Sequence, residues 1–199
     1  MKSLVIATSN PHKVEEIGAV LGQLGIECLS LGDAGIPEPE EDGATFEDNA
    51  RIKAVAYAKA LGRTVLADDS GLEVDALGGA PGVHSAYYAG KFATRVERDP
   101  ANNAKLLKAL EGVPDAQRTA RFVCVLCIAR PDGTILAESR GTFDGVIGHA
   151  PRGANGFGYD PLLVLPDGRT SAELSSDEKN ARSHRGNALR ALVPRVQDL

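Results

Sequence analysis

Ser3-Leu4-Val5-Ile6-Ala7-Thr8-Ser9-Asn10-Pro11-His12-Lys13-Val14-Glu15-Glu16-Ile17, continued through Gly25 to Leu31, is the stretch that decides the fold. The apolar run from Ser3 to Thr8 predicts a buried strand. Ser9-Asn10-Pro11 then turns the chain into a helix, with Pro11 near its first position. Val14, Ile17, Leu21 and Leu24 recur at helical spacing, Gly25 ends the helix, and Ile26 to Leu31 predicts a second strand. A strand–helix–strand opening points to an α/β fold.

Working outward, residues 32 to 44 are rich in glycine, proline and acid and predict a loop. Thr45 can cap a helix from Phe46 to Leu61 that Gly62 terminates. Its Ala50, Ala54, Ala58 and Leu61 form a small-residue face. Thr64 to Ala67 predicts a short strand ending on Asp68-Asp69-Ser70-Gly71, and Gly78 to Gly90 a glycine-rich stretch. Asn102 to Leu110 predicts a helix. Arg118 to Arg130 and Ile135 to Ile147 predict long strands around a Pro131-Asp132-Gly133 hairpin turn. Leu162 to Leu165 predicts a strand, Asp167-Gly168 a turn, and Ser176 to Leu192 a C-terminal helix. The expected architecture is a long mixed central sheet with flanking helices, forming two lobes around an active-site cleft. Residues 1–199 are expected to be one domain.

The composition suits a soluble globular chain: 199 residues, 43% hydrophobic and 25% charged. Lys plus Arg number 22 against 27 Asp plus Glu, a formal charge of −5. That balance argues against a general nucleic-acid binder, which carries a basic excess. A small phosphorylated ligand needs only a few local cations. Cys28, Cys124 and Cys127 are odd in number, which predicts reduced thiols. Cys124 and Cys127 form a C-x-x-C inside an apolar strand, where they face opposite sides. No second Cys/His pair follows at zinc spacing. Met1 to Ala7 is too short for a signal segment, and no apolar run approaches ~18 residues. A cytoplasmic protein that does not enter a membrane is expected.

Four segments could carry chemistry. Thr8-Ser9-Asn10-Pro11-His12-Lys13 joins a strand to a helix N-terminus, where free backbone N–H groups attract anions. It is not a Walker A loop, since G-x-x-x-x-G-K is absent. Asp68-Asp69-Ser70-Gly71 places two carboxylates side by side at the end of an apolar strand. Their repulsion and burial would be relieved by a divalent cation. Glu38-Pro39-Glu40-Glu41-Asp42 offers more oxygen ligands, the type magnesium takes. Gly156-Phe157-Gly158-Tyr159-Asp160 sets glycines on both sides of an aromatic ring that a flat ligand could approach. Ser175 to Gly186 includes Lys179 and His184, five apart on the predicted helix, together with Arg182 and Arg185. Such cations can meet phosphate or base oxygens.

In this order the segments resemble the inosine triphosphate pyrophosphatase family. The resemblance rests on Ala7-Thr8-Ser9-Asn10 with Lys13 and Glu16, and on Glu40-Glu41 with Gly43, Thr45-Phe46 and Asn49-Ala50. It continues in Asp68-Asp69-Ser70-Gly71-Leu72, Phe157-Gly158-Tyr159-Asp160-Pro161 and Ser183-His184-Arg185-Gly186. Tyr87 departs from the pattern, because the family usually has arginine after Ser-Ala. The resemblance implies hydrolysis of non-standard purine nucleoside triphosphates to the monophosphate and pyrophosphate. It also implies a Mg2+ cofactor and a homodimer, with neither nucleic-acid nor membrane partners. Thr8, Ser9, Asn10, Pro11, His12 and Lys13 would hold the triphosphate. Asp69 would be general base and metal residue, with Asp68 and Glu41, alone or with Glu40, completing the metal site. Ser70 would contact substrate. Phe157, Gly158, Tyr159, Asp160, Lys179, His184 and Arg185 would form the base and sugar pocket.

Other readings account for fewer of these residues. A non-catalytic nucleotide sensor would not need Asp68, Asp69 and Glu41 together. A pyrophosphatase for modified pyrimidines is an analogy of architecture alone. A nicotinamide-dependent oxidoreductase would show G-x-G-x-x-G after a strand, and none is present.

Overall fold

The computed structural model describes residues 3–8, 10–23, 25–31 and 35–196, with the backbone alone at Pro11 and His12. Ser9 and the Pro11 and His12 side chains, expected at the triphosphate, lie outside the described residues, as does Leu24 of the helical stripe.

Six strands form one mixed sheet in the order β2-β1-β3-β4-β5-β6. They are β1 (Ser3–Ala7), β2 (Glu27–Ser30), β3 (Val65–Val74), β4 (Thr119–Ala129), β5 (Ile135–Ile147) and β6 (Leu163–Val164). β1 runs parallel to β2 and β3, and β5 antiparallel to β6. Helix α1 (Pro11–Gly22) is the crossover that the parallel β1–β2 pair requires. The other helices are α2 (Phe46–Leu61), α3 (Arg95–Ala109), α4 (Ser176–Arg182) and α5 (His184–Val196). No helix among the described residues is long and apolar enough to cross a membrane.

The chain divides into two compact units. The first comprises Met1–Asp69, Cys124–Gly141 and His184–Leu199. Its core packs Leu4 and Ile6 of β1, Ile17 and Leu21 of α1, Leu126 and Ile128 of β4, and Leu189 and Leu192 of α5. Each such side chain stabilises the fold by roughly 1.5–3 kcal/mol. Helix α2 is bounded as its caps require: the Thr45 side chain accepts from the Asp48 N–H, and Gly62 takes the left-handed conformation. Gly141 lets β5 meet α5 closely, since a Cβ there would lie 2.3 Å from both Ala188 N and His184 O. The start of α5, with His184 and Arg185, is held against the sheet in this way.

The second unit comprises Ser70–Val123 and Thr142–Ser183. Leu106 and Leu110 of α3 pack with Leu72, Val74, Phe122, Phe143, Ile147 and Leu162. Buried Arg118 donates to the carbonyls of Leu110, Ile147 and Gly148, satisfying backbone oxygens that packing would otherwise strand.

Three sequence expectations need correction. The strand expected from Thr64 does not end on Asp68–Gly71, because β3 continues through that segment to Val74. Gly71 serves a close approach instead: a Cβ would lie 2.4 Å from Ser85 Oγ, which accepts from the Leu72 N–H. Helix α3 begins at Arg95, well before Asn102, because Thr94 and Glu97 form a capping box at its start. The C-terminal helix is two helices: Ser183, extended at ψ 160, ends α4 and leads into α5. Lys179 and His184 therefore do not share a helix.

Candidate active site

In the first unit, the alternation of β3 sends the neighbouring Asp68 and Asp69 to opposite faces of the strand. Asp68 goes with two cations. Lys13 Nζ lies 2.9 Å from Asp68 Oδ2, and Arg185 Nη2 donates to the same oxygen at 3.3 Å. Arg185, 0% exposed, also donates to Glu16. Burial acts to raise the Asp68 carboxyl, but Lys13 and Arg185 outweigh it and hold it below the usual carboxylate range. Lys13 is aimed by α1, whose first turn begins at Asn10: its carbonyl accepts from the Lys13 and Val14 N–H groups. Thr8 Oγ1 accepts from the Asn10 N–H at 3.2 Å.

Asp69 goes with Lys53, whose Nζ donates to Asp69 Oδ1 at 2.8 Å and to Glu41 Oε2 at 2.9 Å. Burial opposes the charge on Lys53, yet Asp69, Asp68 and Glu41 together raise its pKa. Asp69 is only 7% exposed. Burial pushes its carboxyl up to about 6, against the pull of Lys53. Among the described residues, Asp69 Oδ2 is buried without a hydrogen-bond partner. A buried carboxylate oxygen in that condition is costly unless it has work to do.

The donor set suits a hard divalent cation. Glu41 and Asp69 present oxygens, and Asp69 Oδ2 has lone pairs directed at no donor. Magnesium is commonly held by one or two carboxylates together with substrate phosphates. No group of three or more His, Cys, Asp and Glu side chains is gathered as a ready metal centre among the described residues. Across the cluster, the three cations Lys13, Lys53 and Arg185 face the four carboxylates Glu16, Glu41, Asp68 and Asp69.

In the second unit, Phe157 sits in a tightly tied turn. Asp160 Oδ2 accepts from the Phe157 N–H at 2.8 Å and from Lys179 Nζ at 2.6 Å, while Asp160 Oδ1 accepts from Ser171 Oγ at 2.7 Å. Lys179 Nζ lies 5.1 Å from the Phe157 ring centroid and Arg95 Cζ 5.4 Å, both within cation–π range. Gly156 makes room for this: a Cβ would lie 2.1 Å from Asp160 Oδ2. Tyr159 is buried, and its hydroxyl donates to the Ser85 carbonyl.

The expected residues therefore fall into two groups. Lys13, Asp68, Asp69 and Glu41 gather in the first unit, and Phe157, Gly158, Asp160 and Lys179 in the second. Glu40, expected as an alternative metal ligand, is exposed on its loop while Glu41 reaches Lys53. Asp68, also expected at the metal, has Oδ2 committed to two cations. Arg185, expected at the base, is instead fully buried against Glu16 and Asp68, because its guanidinium balances their charge. His184 is buried at the first position of α5, and Ser70 is half-buried on β3. The Cys124 and Cys127 thiols are free, and burial pushes both up to about 12. Lys53 was missed. A lysine on the stripe Phe46, Ala50, Lys53, Ala54, Tyr57 of α2 was the available signal.

The chain is similar to known proteins over nearly its whole length. The sequence pattern of the Ham1 family matches residues 4–195. A dITP/XTP pyrophosphatase of Exiguobacterium sp. is 55% identical over 195 residues, covering 97% of this chain and 96% of the relative. A dITP/XTP pyrophosphatase of Geobacillus kaustophilus is 53% identical over 201 residues, covering 100% of this chain and 96% of the relative. The solved structure of a HAM1 protein from Coxiella burnetii superposes with a TM-score of 0.89 at 42% identity, covering 100% of both chains. The chain belongs to the Ham1 family.

Proposed function

We propose that the protein hydrolyses non-standard purine nucleoside triphosphates, ITP, dITP and XTP, to the monophosphate and pyrophosphate, and so keeps them out of DNA and RNA. The observation that carries this reading is the buried Asp69 carboxylate, paired with Lys53 at one oxygen and unpartnered at the other. Full-length similarity to dITP/XTP pyrophosphatases supports the substrate class.

Water adds across the bridge between the α and β phosphates, and the P–O bond to the leaving pyrophosphate breaks. Asp69 Oδ2 takes the water's proton. In the metal-free chain burial raises its carboxyl to about 6, so Asp69 is ionised and able to accept a proton at neutral pH. Lys53 holds Asp69 and Glu41 in place through Nζ. Glu41 and Asp69 are the residues that would hold Mg2+, which supplies charge neutralisation at phosphate oxygens and acidifies water. Lys13 and the positive end of the α1 dipole stabilise the charge that develops on pyrophosphate. Asp68, with Glu16, fixes Lys13 and Arg185 in place through ion pairs.

Phe157 offers its ring to the purine, and Lys179 or a backbone N–H near Phe157 supplies the donor for O6. Adenine presents an amino group there and leaves that donor unpaired, which discriminates strongly. The partners are small nucleotides, in keeping with the net charge of −5, and the protein works in the cytoplasm as a homodimer. The test is kcat/KM for ITP, XTP, GTP and ATP. ITP and XTP should exceed ATP by at least roughly 100-fold; equal values would refute the substrate assignment.

A further inference from the structure

Helix α3 lies outside every segment to which the sequence assigned chemistry, yet one row of its side chains meets the Phe157 turn. Arg95, Asp99 and Asn103 are spaced four residues apart, so they line one face. Arg95 Cζ lies over the Phe157 ring, 5.4 Å from its centroid. Asp99 Oδ2 accepts from the Gly158 N–H at 2.8 Å, and Asn103 Nδ2 donates to the Gly158 carbonyl at 3.1 Å. Both backbone groups of one residue are thus gripped by two side chains a turn apart. Gly158 itself has φ +63, and a Cβ there would meet nothing within 4 Å. The glycine answers to backbone conformation, and the side-chain grip holds that conformation.

The grip is anchored on both sides. Arg98 Nε donates to Asp99 Oδ1 at 3.2 Å, leaving Oδ2 for Gly158. Asn103 is 8% exposed, so its bond is shielded from water. Its neighbour Asn102 donates to the Ser85 and Ala86 carbonyls and accepts from the Ala89 N–H, fixing α3 to the segment that also receives the Tyr159 hydroxyl. A core that needed only to bury α3 would not require a donor and an acceptor matched to the two backbone groups of one residue. That pairing fixes the orientation of the Gly158 backbone, and with it the direction of the adjacent Phe157 ring.

We infer that Asp99 and Asn103 are positioning residues for purine binding, acting through Gly158 to hold the Phe157 ring in the geometry that receives the base. The inference rests on the assignment of Phe157 to the purine. Loosening the turn weakens binding of the base end and leaves the phosphate chemistry in place.

The experiment is steady-state kinetics on ITP, with inorganic tripolyphosphate as a competitive inhibitor that carries no base. Asn103→Asp keeps the shape but turns an acceptor toward the Gly158 carbonyl. KM for ITP should rise about tenfold while kcat stays within about threefold, the signature of lost binding rather than lost chemistry. Asp99→Ala should act the same way and gives the same reading if Asn103→Asp fails to fold. Asp99→Asn, which keeps an acceptor for the Gly158 N–H, should restore KM to within about threefold of the unsubstituted protein. The Ki of tripolyphosphate should be unchanged throughout, which a general loss of structure would not allow. Phe157→Ala separates the two claims. If it leaves KM for ITP unchanged, the base assignment falls and the inference with it. If it raises KM while Asn103→Asp and Asp99→Ala do not, the inference alone is overturned.

Discussion

Asp69 and Asp160 are the same residue in two states of satisfaction. Both are buried, at 7% and 2% exposure. Asp160 has three donors on its two oxygens: Ser171, Lys179 and the Phe157 N–H. Asp69 has Lys53 on one oxygen and, among the described residues, no donor on the other. The first carboxylate is a latch for the aromatic turn. The second retains basicity and open lone pairs. Burial is common to both, so it is the incomplete hydrogen bonding that singles out Asp69 as the proposed base.

Exchanging each aspartate for its amide would sharpen that contrast. Asp69→Asn should lower kcat for ITP by roughly 1000-fold, as expected for loss of a general base together with a metal ligand. The urea midpoint of the folded protein should hold or rise. Asp160→Asn should do the reverse, costing about 3 kcal/mol in urea unfolding, because it leaves the Lys179 ammonium buried without its counter-charge. A stability loss at Asp69 matching that at Asp160 would erase the distinction.

A smaller effect is expected from pH in metal-free protein. The Asp69 proton is held in the folded chain up to about pH 6, but in the unfolded chain it leaves near ~4. Between those values the folded state binds more protons, so the contribution of this group to stability falls as pH rises through the window and levels above it. In EDTA, the Tm of the unsubstituted protein minus that of Asp69→Asn should therefore decrease from pH 4 to pH 6. A difference that grew with pH would mean that Lys53, rather than burial, governs the carboxyl.

Much of this was legible in the residues. Thr45 and Gly62 bounded α2 because caps act locally, and Pro131-Asp132-Gly133 marked the β4–β5 turn for the same reason. Lys13, Asp69 and Glu41 stand in separate segments that the order of the motifs links, and the fold brings them into one ion-pair cluster. What was hidden depended on direction and distance. Asp68-Asp69 looked like a joint metal pair, yet strand alternation sends the two carboxylates to opposite faces, a fact that needed β3 to extend past Gly71. Arg185 looked like a pocket cation until Glu16, far away in sequence, proved to be its partner. Asp99 and Asn103 carried no motif, since they hold the N–H and carbonyl of one glycine in a turn distant in sequence.

The most direct test of the chemistry is phosphate release from ITP, measured colorimetrically with and without added inorganic pyrophosphatase. Cleavage between the α and β phosphates predicts no orthophosphate from the protein alone, and two orthophosphates for each IMP once the second enzyme is present. Asp69→Asn should yield almost none in either case. Orthophosphate released without the second enzyme would contradict pyrophosphate as the product.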